Sequence, residues 1–252
     1  MSFDVAADAY QRFMGRYSEP LAEQMVELVH PVIGQHAIDV GAGPGALTAQ
    51  LVALLGADAV AAVDPSKPFV EALRERLPGV DVKEGTAAVI PFSSDSFDLA
   101  VAQLVIHFMP DPVAGLREMA RVVTPGGTVA ASGWDFGGGR SPLALFWRAA
   151  TDVDPAAPDE SGYPGARDGE LAEYFKESGL RDIRSGELTV SVPYSDFEDW
   201  WQPYELGVGP VGDYLGQLPA EQRYEVRARA EQLLGSGPGT IVATAWTAVG
   251  TV

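Results

Sequence analysis

Asp39-Val40-Gly41-Ala42-Gly43-Pro44-Gly45-Ala46 is a glycine-rich turn with an acid in front of it and a helix-forming run behind it. Glycines let a backbone approach a ligand closely and adopt dihedrals closed to other residues. Twenty-three positions beyond Gly41, Asp64 ends a second apolar run, where a carboxylate can accept two hydrogen bonds from a ribose diol. A glycine turn alone reads equally well as a structural corner. Strand, turn, helix, strand and terminal acid in register favour a nucleoside site instead. Which nucleoside stays open here, because Gly41, Gly43 and Ala46 also satisfy the dinucleotide fingerprint with its permitted terminal Ala.

His107 follows a later apolar run, and an imidazole titrating near neutrality suits proton removal from a hydroxyl or amine. Its plainer reading is a structural or substrate-lining ring. Val5, Ala9, Tyr10, Phe13, Met14 and Tyr17 recur at spacings of three and four, one aromatic helical face that either covers a site or packs on a sheet. Arg16 beside it is placed to pair with a carboxylate. Trp147, Trp200, Trp201, Tyr204 and Tyr214 are candidates for an aromatic substrate pocket. Neighbouring tryptophans on a helix point apart, so at most one of Trp200 and Trp201 faces such a pocket. Asp196, Glu198 and Asp199 read as a solvated helix start, and His30 and His36 receive no role. No cluster has metal-ligand spacing, so no metal is expected.

The elements that must hold these residues follow from periodicity. Short apolar runs at residues 36–40, 59–64, 80–84, 97–104 and 128–133 alternate with helical stretches at 46–55, 67–77 and 112–123. That is the rhythm of a parallel sheet with crossover helices. Ser66 and Asp111 stand at N-cap positions, and Pro112 at a first helical position. A short helix is expected from Pro20 to about Val29. Residues 137–139 and 154–169 read as loops, 169–178 as a helix, 183–192 as a strand, 195–234 as helical and 240–249 as a strand. We expect a single domain in three stretches: a helical lid at 1–35, a core at 36–134, and a cap with closing strands at 135–252.

Composition narrows the partners. The 252 residues carry 35 acidic and 17 basic side chains, a net charge of −18, and no cysteine. Polyanions are bound by neutralising phosphates, so an acidic chain with only Lys67, Lys83 and Lys176 as lysines is not expected to take nucleic acid. The absence of cysteine removes thiolate nucleophiles, disulfides and Cys-ligated metal. The N-terminus lacks a signal-peptide pattern and no apolar run reaches the roughly 18 residues of a membrane span. A soluble, cytoplasmic protein with a small-molecule substrate is expected.

Downstream of the turn, Glu84-Gly85-Thr86-Ala87, Ile90-Pro91-Phe92, Ser96-Phe97-Asp98-Leu99-Ala100 and Arg121-Val122-Val123-Thr124-Pro125-Gly126-Gly127 follow in order. With these motifs the chain resembles the class I S-adenosylmethionine-dependent methyltransferases, in particular the group similar to ubiquinone-biosynthesis and small-molecule methyltransferases. The resemblance implies a Rossmann-like α/β fold: a mostly parallel seven-stranded sheet with an antiparallel last strand, helices on both faces, an N-terminal lid and a C-terminal cap. It implies S-adenosyl-L-methionine as cofactor, with Gly41, Ala42, Gly43 and Gly45 against its methionine part and Asp39 toward the amino group. Asp64, with Pro65 and Ser66, would hold the ribose. Gly85, Thr86 and Ala87 would face adenine, with an uncharged Thr86 where the family usually has Asp. Gln103 and Leu104 would border the sulfonium, and Tyr10 and Arg16 would reach the cofactor from the lid. Methyl transfer to an O, N or C nucleophile of a small acceptor follows, with His107 the one candidate base. A nicotinamide oxidoreductase on the same turn, or a non-catalytic nucleoside binder, are the alternatives.

Overall fold

The computed structural model describes residues 7–252; Val5 of the expected aromatic face lies outside the described residues. Helix α1 (Ala7–Tyr10), a π-helical turn (Gln11–Gly15) and α2 (Arg16–Val29) run on without a break. The helix expected to begin at Pro20 therefore begins earlier, and Pro20 sits inside α2. As the fifth residue, it costs one intrahelical donor just after a turn that is already irregular. Phe13, Met14, Tyr17, Leu21 and Met25 form the buried face.

The core follows as β1 (Ala37–Val40), α3 (Ala46–Leu55), β2 (Val60–Asp64), α4 (Lys67–Arg76), β3 (Asp81–Glu84), β4 (Phe97–Gln103), α5 (Pro112–Val122) and β5 (Val123–Trp134). Asp111 caps α5 by accepting from the Ala114 N–H at 2.9 Å. Strand β5 starts five residues before the expected position because Val123 already pairs with Phe97, ahead of an irregularity that realigns the ladder at Leu99.

The cap contains α6 (Ala144–Val153), α7 (Glu170–Ser178), β6 (Arg181–Tyr194), α8 (Phe197–Trp201), α9 (Gly209–Gln217), α10 (Ala220–Leu234) and β7 (Gly239–Thr251). Helix α6 carried no start signal in the sequence, since Leu143 at its N-cap offers no side-chain acceptor. The long helical stretch after Ser195 breaks at Gly207, whose φ of 73° ends a short 3-10 turn.

One sheet has the order β3-β2-β1-β4-β5-β7-β6. Strands β3 to β5 are parallel, and β7 lies antiparallel between β5 and β6. Alternation along β4 divides the core: Leu99 and Val101 pack with α2, α3 and the cap, Ala100 and Ala102 with α5 and α7. The chain leaves β1 toward β2 on one side and returns to β4 on the other. Open α/β sheets bind ligands beyond the strand ends at such a reversal, so the loops after β1 and β4 are the place to look.

Candidate active site

The glycine turn is pinned by the strand beside it. Gly41 and Ala42 donate their N–H groups to the Val63 carbonyl at 2.7 and 3.1 Å. Gly43 N donates to Asp64 Oδ2 and Ser66 N to Asp64 Oδ1, each at 2.8 Å. Asp64 thus ties the turn after β1 to the turn after β2. Gly41 and Gly43 have φ of 74° and 54°, a region that side chains disfavour. They differ in what lies next to them. A Cβ on Gly41 would collide with Val105, whereas one on Gly43 would meet nothing nearer than Tyr10 at 4.0 Å. The turn is packed at its first glycine and open at its second.

Asp39 lies beneath the turn, 1% exposed, and accepts a 2.6 Å hydrogen bond from Thr48 Oγ1. Burial pushes its carboxyl up to about 7, against the lowering effect of Thr48. Burial also raises Asp64, while the Ser66 and Gly43 N–H groups pull it down. Gln103, ending β4, donates through Nε2 to the Ser18 carbonyl at 2.9 Å. Its buried Oε1 has no partner. Leu104, next in sequence, has φ of 63°, a costly conformation for a branched side chain that is usually kept only where the surroundings enforce it.

Three cavities share Tyr10 and Leu104 as walls. The first opens on Asp39, the glycine turn, Ser18 and Gln103. The second, of about 510 Å³, runs past Gly43, Asp64, Pro65, Ser66 and Phe69. The third, of about 420 Å³, is walled by Phe13, Phe108, Trp134 and Phe136, with His107 and Glu160. A polar, glycine-lined space and an aromatic one therefore meet at Tyr10.

His107 sits with Nδ1 2.7 Å from the Pro164 carbonyl. A carbonyl only accepts, so the ring proton is on Nδ1 and the lone pair on Nε2, which is buried without a partner. Burial pushes this imidazole down to about 4, leaving it neutral near pH 7.

Other expected residues fall elsewhere. Arg16 turns to the cap, donating to the carbonyls of Asp199 and Pro193 at 3.0 and 3.2 Å and pairing with Asp199 Oδ1 at 3.3 Å. It is absent from the walls of all three cavities, and Asp199 is a partner rather than a merely solvated acid. Asp196 does cap α8, accepting from the Asp199 N–H at 2.9 Å. Gly85 donates to the Asp64 carbonyl at 3.1 Å and Thr86 bridges to Val89, but neither these nor Ala87 lines the three cavities. Trp200 and Trp201 are both core residues, 1% and 0% exposed, packed around Phe197 and Tyr204. Neither lines the aromatic cavity. Trp147 donates through Nε1 to Glu160 Oε2 at 2.6 Å. Glu160 was invisible in the sequence, an acid among the prolines, glycines and acids of a loop, with nothing to mark it as buried. Among the described residues no three His, Asp or Glu side chains gather as metal ligands, and no helix is long and apolar enough to cross a membrane.

Residues 38–131 match the family described as a methyltransferase domain. That stretch is a methyltransferase domain. This family match covers the glycine turn, Asp64 and the strands that carry them, and so favours S-adenosylmethionine over a dinucleotide at the turn. An uncharacterized methyltransferase of Mycobacterium tuberculosis is 38% identical over 127 residues, 50% of this chain and 49% of that one. The nocamycin O-methyltransferase of Saccharothrix syringae is 26% identical over 230 residues, 80% of this chain and 79% of that one. A crystal structure of an S-adenosylmethionine-dependent methyltransferase from Thermotoga maritima, a possible histamine N-methyltransferase, shares the fold with TM-score 0.59 at 19% identity, over 97% of this chain and 94% of that one. The chain spans about half the length of the first curated relatives it matches.

Proposed function

We propose that this methyltransferase moves the methyl group of S-adenosyl-L-methionine to a nucleophilic atom of a small, largely apolar acceptor. The observation that carries the reading is the junction at Tyr10 and Leu104, where a glycine-lined space with two buried carboxylates adjoins an aromatic one. The fit is supported by the open face of Gly43, the unpartnered Gln103 Oε1 and the buried Asp39 carboxyl. Bound S-adenosylmethionine supplies an electrophilic methyl on a sulfonium.

In this reading Asp64 orders the turn and offers its remaining lone pairs to the ribose. Asp39 faces the amino group, whose positive charge favours the ionised carboxylate that burial alone disfavours. Gln103 and Leu104 border the sulfur. Tyr10 separates cofactor from acceptor and presents a ring to which a cation is attracted by about 0.5–2 kcal/mol. His107 Nε2 accepts a hydrogen bond from the acceptor without first shedding a proton. Alignment supplies most of the acceleration, since effective molarities of well-oriented pairs reach about 10⁵ to 10⁸ M.

Transfer of label from methyl-labelled S-adenosylmethionine to a panel of apolar amines, phenols and carboxylates tests the reading. Label is expected in at least one neutral or basic acceptor. Tight S-adenosylhomocysteine binding with no label in any member would return the non-catalytic alternative.

A further inference from the structure

The aromatic cavity contains one group that the proposed reaction leaves unused. Glu160 lies in the loop between α6 and α7, is 3% exposed, and borders the space walled by Tyr10, Phe13, Phe108, Trp134 and Phe136. Among the described residues only Trp147 Nε1 donates to its carboxyl. Among the described residues no Lys or Arg lines this cavity. On its far side Glu160 borders a second depression that includes Arg148, yet no ion pair joins the two among the described residues. Among the described residues the titratable groups that share its cavity or its electrostatics are His107, neutral near pH 7, the phenols of Tyr10, Tyr163 and Tyr204, and Asp159. A buried carboxyl with one neutral donor is a costly arrangement that packing alone does not call for. A cation lets this carboxyl ionise in place, whereas a neutral ligand gives it no counter-charge and an anion opposes its ionisation.

Resting on the methyl-transfer reading, we propose that Glu160 is the specificity-determining residue of the acceptor cavity. The acceptor that it selects is an apolar amine, recognised as its ammonium ion between the Glu160 carboxylate and the surrounding aromatic rings. That nitrogen gives a proton back to the carboxylate before its lone pair takes the methyl, the S–CH3 bond breaking as N–CH3 forms. Two kinds of attraction converge there: an ion pair shielded from water, and aromatic ring faces of the kind that bind ammonium groups. The chain's net charge of −18 also favours the approach of a cation over that of an anion. Burial holds the empty carboxyl up at about 7, so near pH 7 it is partly protonated. An arriving ammonium drives that proton off, which makes occupancy measurable without turnover.

The test is titration calorimetry of 2-phenylethylamine, 2-phenylethanol and 3-phenylpropionate near pH 7, in two buffers of different ionisation enthalpy. It is run with and without saturating S-adenosylhomocysteine, on the wild type and on Glu160→Gln. The amine is expected to bind the wild type at least tenfold more tightly than the alcohol, and the carboxylate not to bind. Amine binding should release a fraction of a proton. In Glu160→Gln the amine should lose at least tenfold in affinity and the proton release should vanish, with the alcohol unchanged. Equal binding of amine and alcohol, no amine binding, or an amine affinity indifferent to Glu160→Gln overturns the proposal. If Glu160→Gln misfolds, the wild-type contrast of amine with alcohol and its proton release decide alone. Absent S-adenosylhomocysteine binding, with amine discrimination intact on the free protein, overturns the methyl-transfer reading and not this one.

Discussion

Asp64 has a structural duty and a proposed binding duty, and they act through different lone pairs. Each carboxylate oxygen accepts one backbone N–H, from Gly43 and from Ser66, leaving capacity for ligand hydroxyls. Asp64→Ala is therefore expected to weaken S-adenosylhomocysteine binding by about 1.5–3 kcal/mol, as for hydrogen bonds to a charged acceptor. Calorimetry checks it, and unchanged affinity removes Asp64 from the site. Asp39 makes a different prediction. Its folded carboxyl titrates at about 7, whereas an unfolded Asp titrates near about 4. Between these values the folded state holds a proton that the unfolded state has released, so this contribution to stability falls as pH rises from about 4 to about 7 and is level above. His107 runs the other way. Its folded value of about 4 lies below the unfolded value of about 6.5, so its contribution is lost as pH falls through that window. Comparing the wild type with Asp39→Asn isolates the first effect. The variant should gain on the wild type, in the absence of ligand, by on the order of 1–4 kcal/mol between pH 4 and 7. Denaturant midpoints at each pH measure it, and a pH-independent difference would contradict the assignment.

Among the elements, α1, the π turn and α2 do two things that one sequence stretch concealed. Tyr10, Phe13 and Met14 cover the cavities, while Arg16 fastens the same helix to β6 and α8. The sequence made an arginine beside an aromatic face look like a ligand contact, because periodicity shows which residues share a helix face and not which partner that face meets. Its ion pair with Asp199 is half-exposed and worth about 0.2–1 kcal/mol, with the two carbonyl contacts adding a similar amount. Arg16→Ala is expected to lower the unfolding free energy by about 1–2 kcal/mol and to leave S-adenosylhomocysteine affinity within about twofold. A large loss of affinity at unchanged stability would instead return Arg16 to the cofactor. Strands β1, β2 and β4 were readable because buried parallel strands and their crossover helices carry strong apolar runs between turn residues. Helix α6 had no capping residue to announce it. Glu160, on the loop that follows, owes its burial to chain segments far away in sequence, which local patterns cannot show.

At the scale of the molecule, the proposed function is divided between the segment that matches a family and the cap that does not. Residues 38–131 match a family and carry the proposed cofactor side. The proposed acceptor side is lined from the cap by Phe136, Leu143, Glu160, Gly209 and Pro210, positions with no motif. That division is physical. A cofactor of fixed chemistry demands fixed backbone geometry, hence glycines and acids at set spacings, whereas an acceptor cavity needs only shape and a polar group at one point. The reading of the whole rests on the recognisable half, and calorimetry of the wild type with S-adenosylhomocysteine and with NADH tests it most directly. Saturable one-to-one binding of S-adenosylhomocysteine, weakened in Asp64→Ala, with no NADH binding, is the expected result. Binding of NADH without binding of S-adenosylhomocysteine or S-adenosylmethionine would contradict it.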